Sequence, residues 1–338
     1  MGAPTVYYYD DPGAPVLSSR QDAFYQIVMA CLVDGYSGKP SAGWSVVYDD
    51  WVNSGWLTLI NSSGSGVVGV VRSSGNDHPF LFLADGMIDA TTPINGRSGY
   101  VDISNGTAWD PASAALQRPA SSLLTQVAGW CVVANDDAVF MMMTASADAL
   151  RTINLSYGFD VGASLAFGRF RDVRGLGGEV GDFSIFGGAI GIWGDLNSLG
   201  VNGARSDIGT VSRDKSGAPA TGNHYVMLSN VNVGSLLSYP ATTDAIVEFD
   251  ITPVSIFVSS GGASLVRSAA WQRSVVPQLK TNLLFTRPAY VADALPDLLK
   301  MTAVVGGDVY LSGKRHLLWR MNWNAFFLLS LDAGDWSY

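Results

Sequence analysis

Acidic side chains number 29 in this 338-residue chain, yet Glu179 and Glu248 are its only glutamates; the remaining 27 are aspartates. Lysine is nearly as scarce, confined to Lys39, Lys215, Lys280, Lys300 and Lys314. Glu and Lys make up exposed helix faces because their straight side chains lose little rotamer freedom there. Asp competes for the backbone and prefers turns and caps. A chain so composed has little with which to clothe many helices. Its 38 Gly, 13 Tyr and 10 Trp suit strands joined by tight turns. The expected fold is therefore mainly β: antiparallel β-sandwich-like domains with one N-terminal amphipathic helix.

Charged residues are only 14% of the chain, against about 25% in ordinary soluble domains. Such a chain lacks the groups to cover its own outside and is expected to hide surface against neighbours, as a homo-oligomer (a ring or trimer) among other subunits. The net charge of −9 and the lack of a basic run argue against a nucleic-acid partner, since counterion release needs clustered Lys and Arg. Cys31 and Cys131 have no zinc or CxxC spacing and read as buried free thiols. The start, "MGAPTVYYYDDPG", has neither the basic region nor the apolar core of a secretory leader. Residues 51–71 lack charge, but "NSSGSG" splits them, so a hairpin is expected there rather than a span of about 20 apolar residues. A soluble protein made in a reducing cytoplasm is the expectation.

Local patterns place the elements. Phe24, Ile27, Val28, Cys31 and Leu32 mark one stripe of a helix over Ser18–Asp34, with Ser18 or Ser19 as cap and Gly35 closing it in a left-handed turn. "YSGKPSAG" lets the chain reverse. Trp44 then opens a strand, its indole either folded back over the stripe or simply buried in a sheet core. Strands are expected at Trp56–Ile60, Val67–Arg72, Phe80–Asp85 and Ser98–Ile103. "GWCVVANDDAVFMMMTAS" (129–146) reads as a hairpin turning at Asn135-Asp136-Asp137. Residues Asn197–Gly222 read as a long exposed loop. Strands resume at Tyr225–Leu228, Ala245–Asp250, Val254–Ser259 and Ala263–Arg267, a short helix fits within Pro288–Lys300, and residues 307–332 read as a three-stranded meander. Domains are drawn at 1–125, 126–222 and 223–338.

Motifs with chemistry are few, and no catalytic, cofactor-binding or metal residue is assigned. "GSGVVG" (64–69) fits GxGxxG, but strand-like valines follow where a helix is required, which favours a hairpin turn. Tyr48-Asp49-Asp50 resembles the carboxylate pair of polymerase palms, yet no basic groove accompanies it, so both Asp are read as turn or surface residues. Asp136 and Asp137 could hold calcium, though a solvated turn is the plainer reading. His78, His224 and His316 form no metal-ligand pair. A pair of Asp acting on a glycosidic bond would be recognisable only in space.

The segment "ACLVDGYSGKPSAGW" resembles one in tail and baseplate-region virion proteins of double-stranded DNA bacteriophages, where a short helix ends in a "DGYG-x-K-x-x-AGW" stretch. Asp34, Gly35, Tyr36, Lys39, Ala42, Gly43 and Trp44 carry the match. "GWCVVANDDAVFMMM" with the downstream "FGRFRDV" is similar to a further hairpin and an "FGDF" strand of that family, with Arg169 standing where its members carry Asp. "YLSGKRHLLWRMNWNAFFLLSLD" is similar to their closing meander. The resemblance implies a structural component of a bacteriophage tail, in the baseplate or tail-tip region of the virion, with no known catalytic residues; no enzymatic activity, cofactor or membrane span is expected. The alternatives are a receptor- or glycan-binding tip protein, with Tyr- and Trp-rich loops touching the host surface, and a carbohydrate hydrolase. The loop Asn197–Gly222 and the stretch "PTVYYYDDPG" could be arms that order only on assembly.

Overall fold

The apolar stripe of the N-terminal segment folds as its spacing requires. Helix α1 (Arg20–Val28) runs directly into a π-helical stretch, Met29–Asp34, and Phe24, Ile27, Val28, Cys31 and Leu32 are all buried. The structure, a computed structural model, describes residues 2–16, 20–72, 80–98, 101–102, 129–144, 164–169, 184–188, 209–211, 223–227, 250–259, 271–285, 308–311, 314–322 and 325–336. The candidate caps Ser18 and Ser19, the strand at Ala263–Arg267 and the helix within Pro288–Lys300 lie outside those residues.

Strands dominate the rest: β1 (Thr5–Tyr8), β2 (Ser45–Asp50), β3 (Trp56–Ile60), β4 (Val67–Val71), β5 (Phe80–Ala84), β6 (Gly86–Asp89), β7 (Thr92–Ile94), β8 (Arg97–Ser98) and β9 (Val101–Asp102). There follow β10 (Gly129–Ala134), β11 (Ala138–Thr144), β12 (Ser164–Gly168), β13 (Ser184–Gly188), β14 (Gly209–Val211), β15 (Asn223–Met227) and β16 (Asp250–Ser259). The last are β17 (Trp271–Phe285), β18 (Asp308–Leu311), β19 (Lys314–Asn322) and β20 (Ala325–Ser330). Six strands form one sheet in the order β2-β3-β4-β5-β8-β9, and twelve form another in the order β1-β10-β11-β12-β13-β14-β15-β16-β17-β20-β19-β18. Hairpin β6–β7 stands as a separate ribbon. The fold is mainly antiparallel β with one short helix.

Along the large sheet, β10 through β17 pair each with its successor in sequence, which is what short strands joined by reversals produce. The C-terminal meander β18–β19–β20 forms as its pattern requires. Strands β16 and β17 lose register between Thr252 and Val254, opposite Thr281 and Val276. Pro253 and Pro277 fall inside this irregularity, where their missing N–H groups break no ladder.

Three expectations need correction. Gly209–Val211 is a strand within the stretch expected as a loop, because β13 and β15 flank it on both sides. Ser98–Ile103 is not one strand: β8 and β9 pair with each other, Ser98 opposite Val101. The N-terminal arm is ordered within the subunit. Its β1 pairs with β10, Thr5 opposite Ala134 and Tyr8 opposite Cys131, and Tyr7 is fully buried.

One core joins these parts. The helix stripe packs with Leu57, Leu59, Val68, Val70, Leu81 and Leu83 of the small sheet and with Trp130, Val132, Val139, Met141 and Phe167 of the large one. Alternate residues of β4 and β5 (Val67, Val71, Phe82, Ala84) form a second cluster on the other face. There the Phe82 ring lies over Gly69, filling the space a side chain would need. Phe140 on β11 meets Trp336 edge-on, their rings 5.7 Å apart. Cys31 and Cys131 are both buried free thiols.

Candidate functional site

The loop after the helix works by giving back what the helix end lacks. The last carbonyls of a helix have no partner within it. Here Ala42 N–H donates to Cys31 O (2.9 Å) and Trp44 N–H to Leu32 O (3.0 Å). Between them Tyr36 and Lys39 exchange backbone hydrogen bonds, Tyr36 N–H to Lys39 O and Lys39 N–H to Tyr36 O (3.0 and 2.7 Å), so Ser37-Gly38 forms a tight turn. Gly35 starts the reversal with φ 71° and ψ 178°. This is not the left-handed helical cap expected of it but an extended conformation of opposite sign that essentially only glycine adopts.

The reversal brings Trp44 into the core among the helix stripe and both sheets. Its Nε1–H donates to Asn135 O (2.9 Å), and its ring meets Phe167 edge-on at 5.5 Å. A buried indole needs such an acceptor for its polar edge. The stiff aromatic after the loose loop is thus a plug tying the helix end to the β10–β11 turn.

That turn is itself buried, which corrects the solvated turn expected at Asn135-Asp136-Asp137. Asn135 and Asp137 are 4% and 2% exposed. Asn135 Oδ1 accepts from the backbone N–H groups of Asp137 and Ala138, a local side-chain substitute for turn bonds. Ser62 N–H donates to Asp136 O and its hydroxyl to Asp136 Oδ2. Arg169 places a guanidinium nitrogen 3.7 Å from Asp137 Oδ2, and its backbone N–H donates to Asp137 O. An Asp at 169 would set two buried carboxylates against each other; Arg instead balances the charge. The same cation beside Asp137 disfavours calcium there. Among the described residues no group of three or more His, Cys, Asp or Glu could hold a metal ion.

The second node lies on the other side of the loop. Asp11 Oδ2 accepts from Tyr36 Oη–H (2.8 Å) and Tyr8 N–H (2.8 Å), with Lys39 Nζ 3.4 Å away. Lys39 Nζ also donates to Val6 O (2.7 Å), and Tyr7 Oη–H donates to Pro40 O (2.7 Å). Tyr7 and Tyr36 rings sit 5.9 Å apart. Burial raises both phenol pKa values above their ordinary range, and for Tyr36 the hydrogen bond to Asp11 adds to the effect. Burial likewise pushes the Cys31 thiol up. The loop therefore clamps strand β1 from outside.

The remaining motifs find plain places. The first half of "GSGVVG" lies in the turn between β3 and β4, and its Val67, Val68 and Gly69 open strand β4. Asp49 and Asp50 are consecutive on β2, so they point to opposite faces and cannot share a metal pair. Asp49 accepts from Tyr25 Oη–H and Trp51 N–H. Asp50 accepts from Asn53 Nδ2; hydrogen bonds from Ser54 and Asn53 hold its carboxyl below the usual range. His224 and His316 lie on β15 and β19, and His78 falls outside the described residues. No described helix is long and apolar enough to cross a membrane. What sequence alone could not find was the role of Asp11, Tyr36 and Lys39, which are 25 and 28 residues apart along the chain and meet only in the fold. No protein-family model matches the chain, and none of the curated proteins compared with it is detectably similar.

Proposed function

We propose that the chain is a structural subunit of a bacteriophage tail, in the baseplate or tail-tip region, assembling with copies of itself and with other tail proteins in the virion. The observation that carries this reading is the Leu32–Trp44 segment. Five of the residues it shares with the tail-protein stretch have definite structural work. Gly35 permits the reversal, Tyr36 and Lys39 clamp β1, Ala42 closes the helix end, and Trp44 plugs the core. Each of these contributions is architectural.

The exposed large apolar side chains of the described residues agree with burial against protein neighbours: Val16, Val46, Val52, Ile88 and Ile94. All are aliphatic. Sugar stacking needs an accessible ring face, and every Trp and Phe whose burial is described is at least partly covered.

Antibody raised against the purified chain, used to blot gradient-purified virions, tests the reading. A band at 35.8 kDa in constant ratio to the other tail proteins is expected. Its absence from intact particles would refute the proposal.

A further inference from the structure

Where the chain leaves ribbon β6–β7 for β8 it turns at Asn95-Gly96, in a conformation few side chains accept. Asn95 has φ 50°, the one positive value at a non-glycine among the described residues. Asparagine tolerates that region because its short carboxamide can bond locally. Here the carboxamide is held. Asn95 Nδ2 donates to Asp85 Oδ2 at 2.6 Å, and Asp85 N–H donates to Ile94 O at 2.9 Å. Asp85 stands between β5 and β6, so these two bonds clasp both ends of the ribbon at its root. Beyond the clasp, Met87 of the ribbon packs against the Phe82 cluster.

We propose that Asn95 is a site of spontaneous deamidation, and that the change undoes this clasp. Asn95 is exposed, and Gly96 after it has no Cβ to crowd its own backbone nitrogen. Gly96 N bonds to Asn95 Cγ and closes a cyclic imide. The Cγ–Nδ2 bond breaks, and Nδ2 leaves as ammonia with the proton that Gly96 N gives up. Water then adds to either imide carbonyl and that C–N bond breaks, leaving aspartate, or isoaspartate with its main chain one carbon longer. No oxidant or reductant takes part. Aspartate puts an oxygen where Nδ2 donated, so two carboxylates face each other across the root of the ribbon. Isoaspartate draws Cγ into the main chain, and the carboxamide donor is lost as well. Asn53 supplies the contrast: it is also exposed, and its Nδ2 also donates to a carboxylate, Asp50 Oδ1 at 2.7 Å. Ser54 follows it, however, with a side chain beside the attacking nitrogen. Deamidation at Asn95 is a property of the ribbon root and stands apart from the tail reading.

The test incubates the full chain in warm, mildly alkaline buffer and maps its peptides by mass spectrometry, with an isoaspartyl assay alongside. Residue 95 is expected to convert to aspartate and isoaspartate several-fold faster than Asn53. The variant Asn95→Asp carries a product from the start. It is expected to exchange its amide hydrogens over residues 86–94 faster than the unaltered chain, as a locally opened element does. The exchanged pair Asp85→Asn with Asn95→Asp again sets a donor opposite an acceptor and is expected to return exchange to the unaltered rate, which a merely misfolded ribbon would not do. The proposal is overturned when residue 95 converts no faster than Asn53, when Asn95→Asp exchanges like the unaltered chain, or when the exchanged pair fails to slow it.

Discussion

At the scale of single residues, two glycines in one loop share the sign of φ and differ in everything else. Gly35 has φ 71°, and a Cβ built there would lie 2.8 Å from both Lys39 O and Ser41 N, which are backbone atoms that cannot step aside. Gly38 has φ 78° with nothing within 4 Å. Gly38→Ala is expected to cost only the conformational penalty, about 1–2 kcal/mol. Gly35→Ala adds a steric clash to its strain and is expected to cost about 3 kcal/mol or more. Urea unfolding of the two variants checks this, and equal losses would show that sterics at Gly35 are relieved. The sequence marked Gly35 as the place where the helix ends. It did not disclose ψ, which is set by the carbonyls of Cys31 and Leu32 drawing the loop back.

At the scale of elements, α1, the β2–β3 turn and the end of β4 meet in one layered stack. Trp51 stacks on Tyr25 with ring centroids 5.0 Å apart and an interplanar angle of 12°, and the Arg72 guanidinium sits 4.8 Å from the Trp51 ring centre. Asp22 Oδ1 accepts from both Trp51 Nε1–H and Arg72 at 2.8 Å. Packing should outweigh charge here. The Asp22 and Arg72 side chains are about one-third exposed (34% and 35%), so the pair is worth about 1 kcal/mol at most. Trp51 is 3% exposed, and truncating such a ring costs about 3–5 kcal/mol. Asp22→Asn is therefore expected to lose under about 1 kcal/mol, a loss that shrinks in high salt, and Trp51→Ala several times more. Guanidine-free urea melts at low and high salt measure both; comparable losses would mean the ion pair leads.

At the scale of the whole molecule, three phenols couple stability to alkaline pH. Burial, then the hydrogen bond to Asp49, pushes Tyr25 up to about 12, and Tyr7 and Tyr36 are raised further. A group that holds its proton more tightly when folded stabilises fully below its unfolded value, about 10 for a phenol, and loses that contribution as pH rises through the folded value. Unfolding free energy should hold up to about pH 10 and fall steadily beyond it, with a shallower fall in Tyr36→Phe. A flat profile up to about pH 12 would contradict the burial of these phenols. What the amino-acid sequence determined by itself was local: a β-rich chain, the helix stripe, most strands and the Asn135 hairpin, because periods of two and 3.6 residues and turn chemistry are written in neighbouring positions. What only the tertiary structure decided was non-local. The pairing of β1 with β10, the burial of Asn135 and Asp137, Arg169 facing Asp137, and Lys39 reaching Val6 all join residues 30 or more positions apart, apart from the turn's own contacts. No local period encodes such meetings; they follow from which surfaces the folded core leaves next to one another.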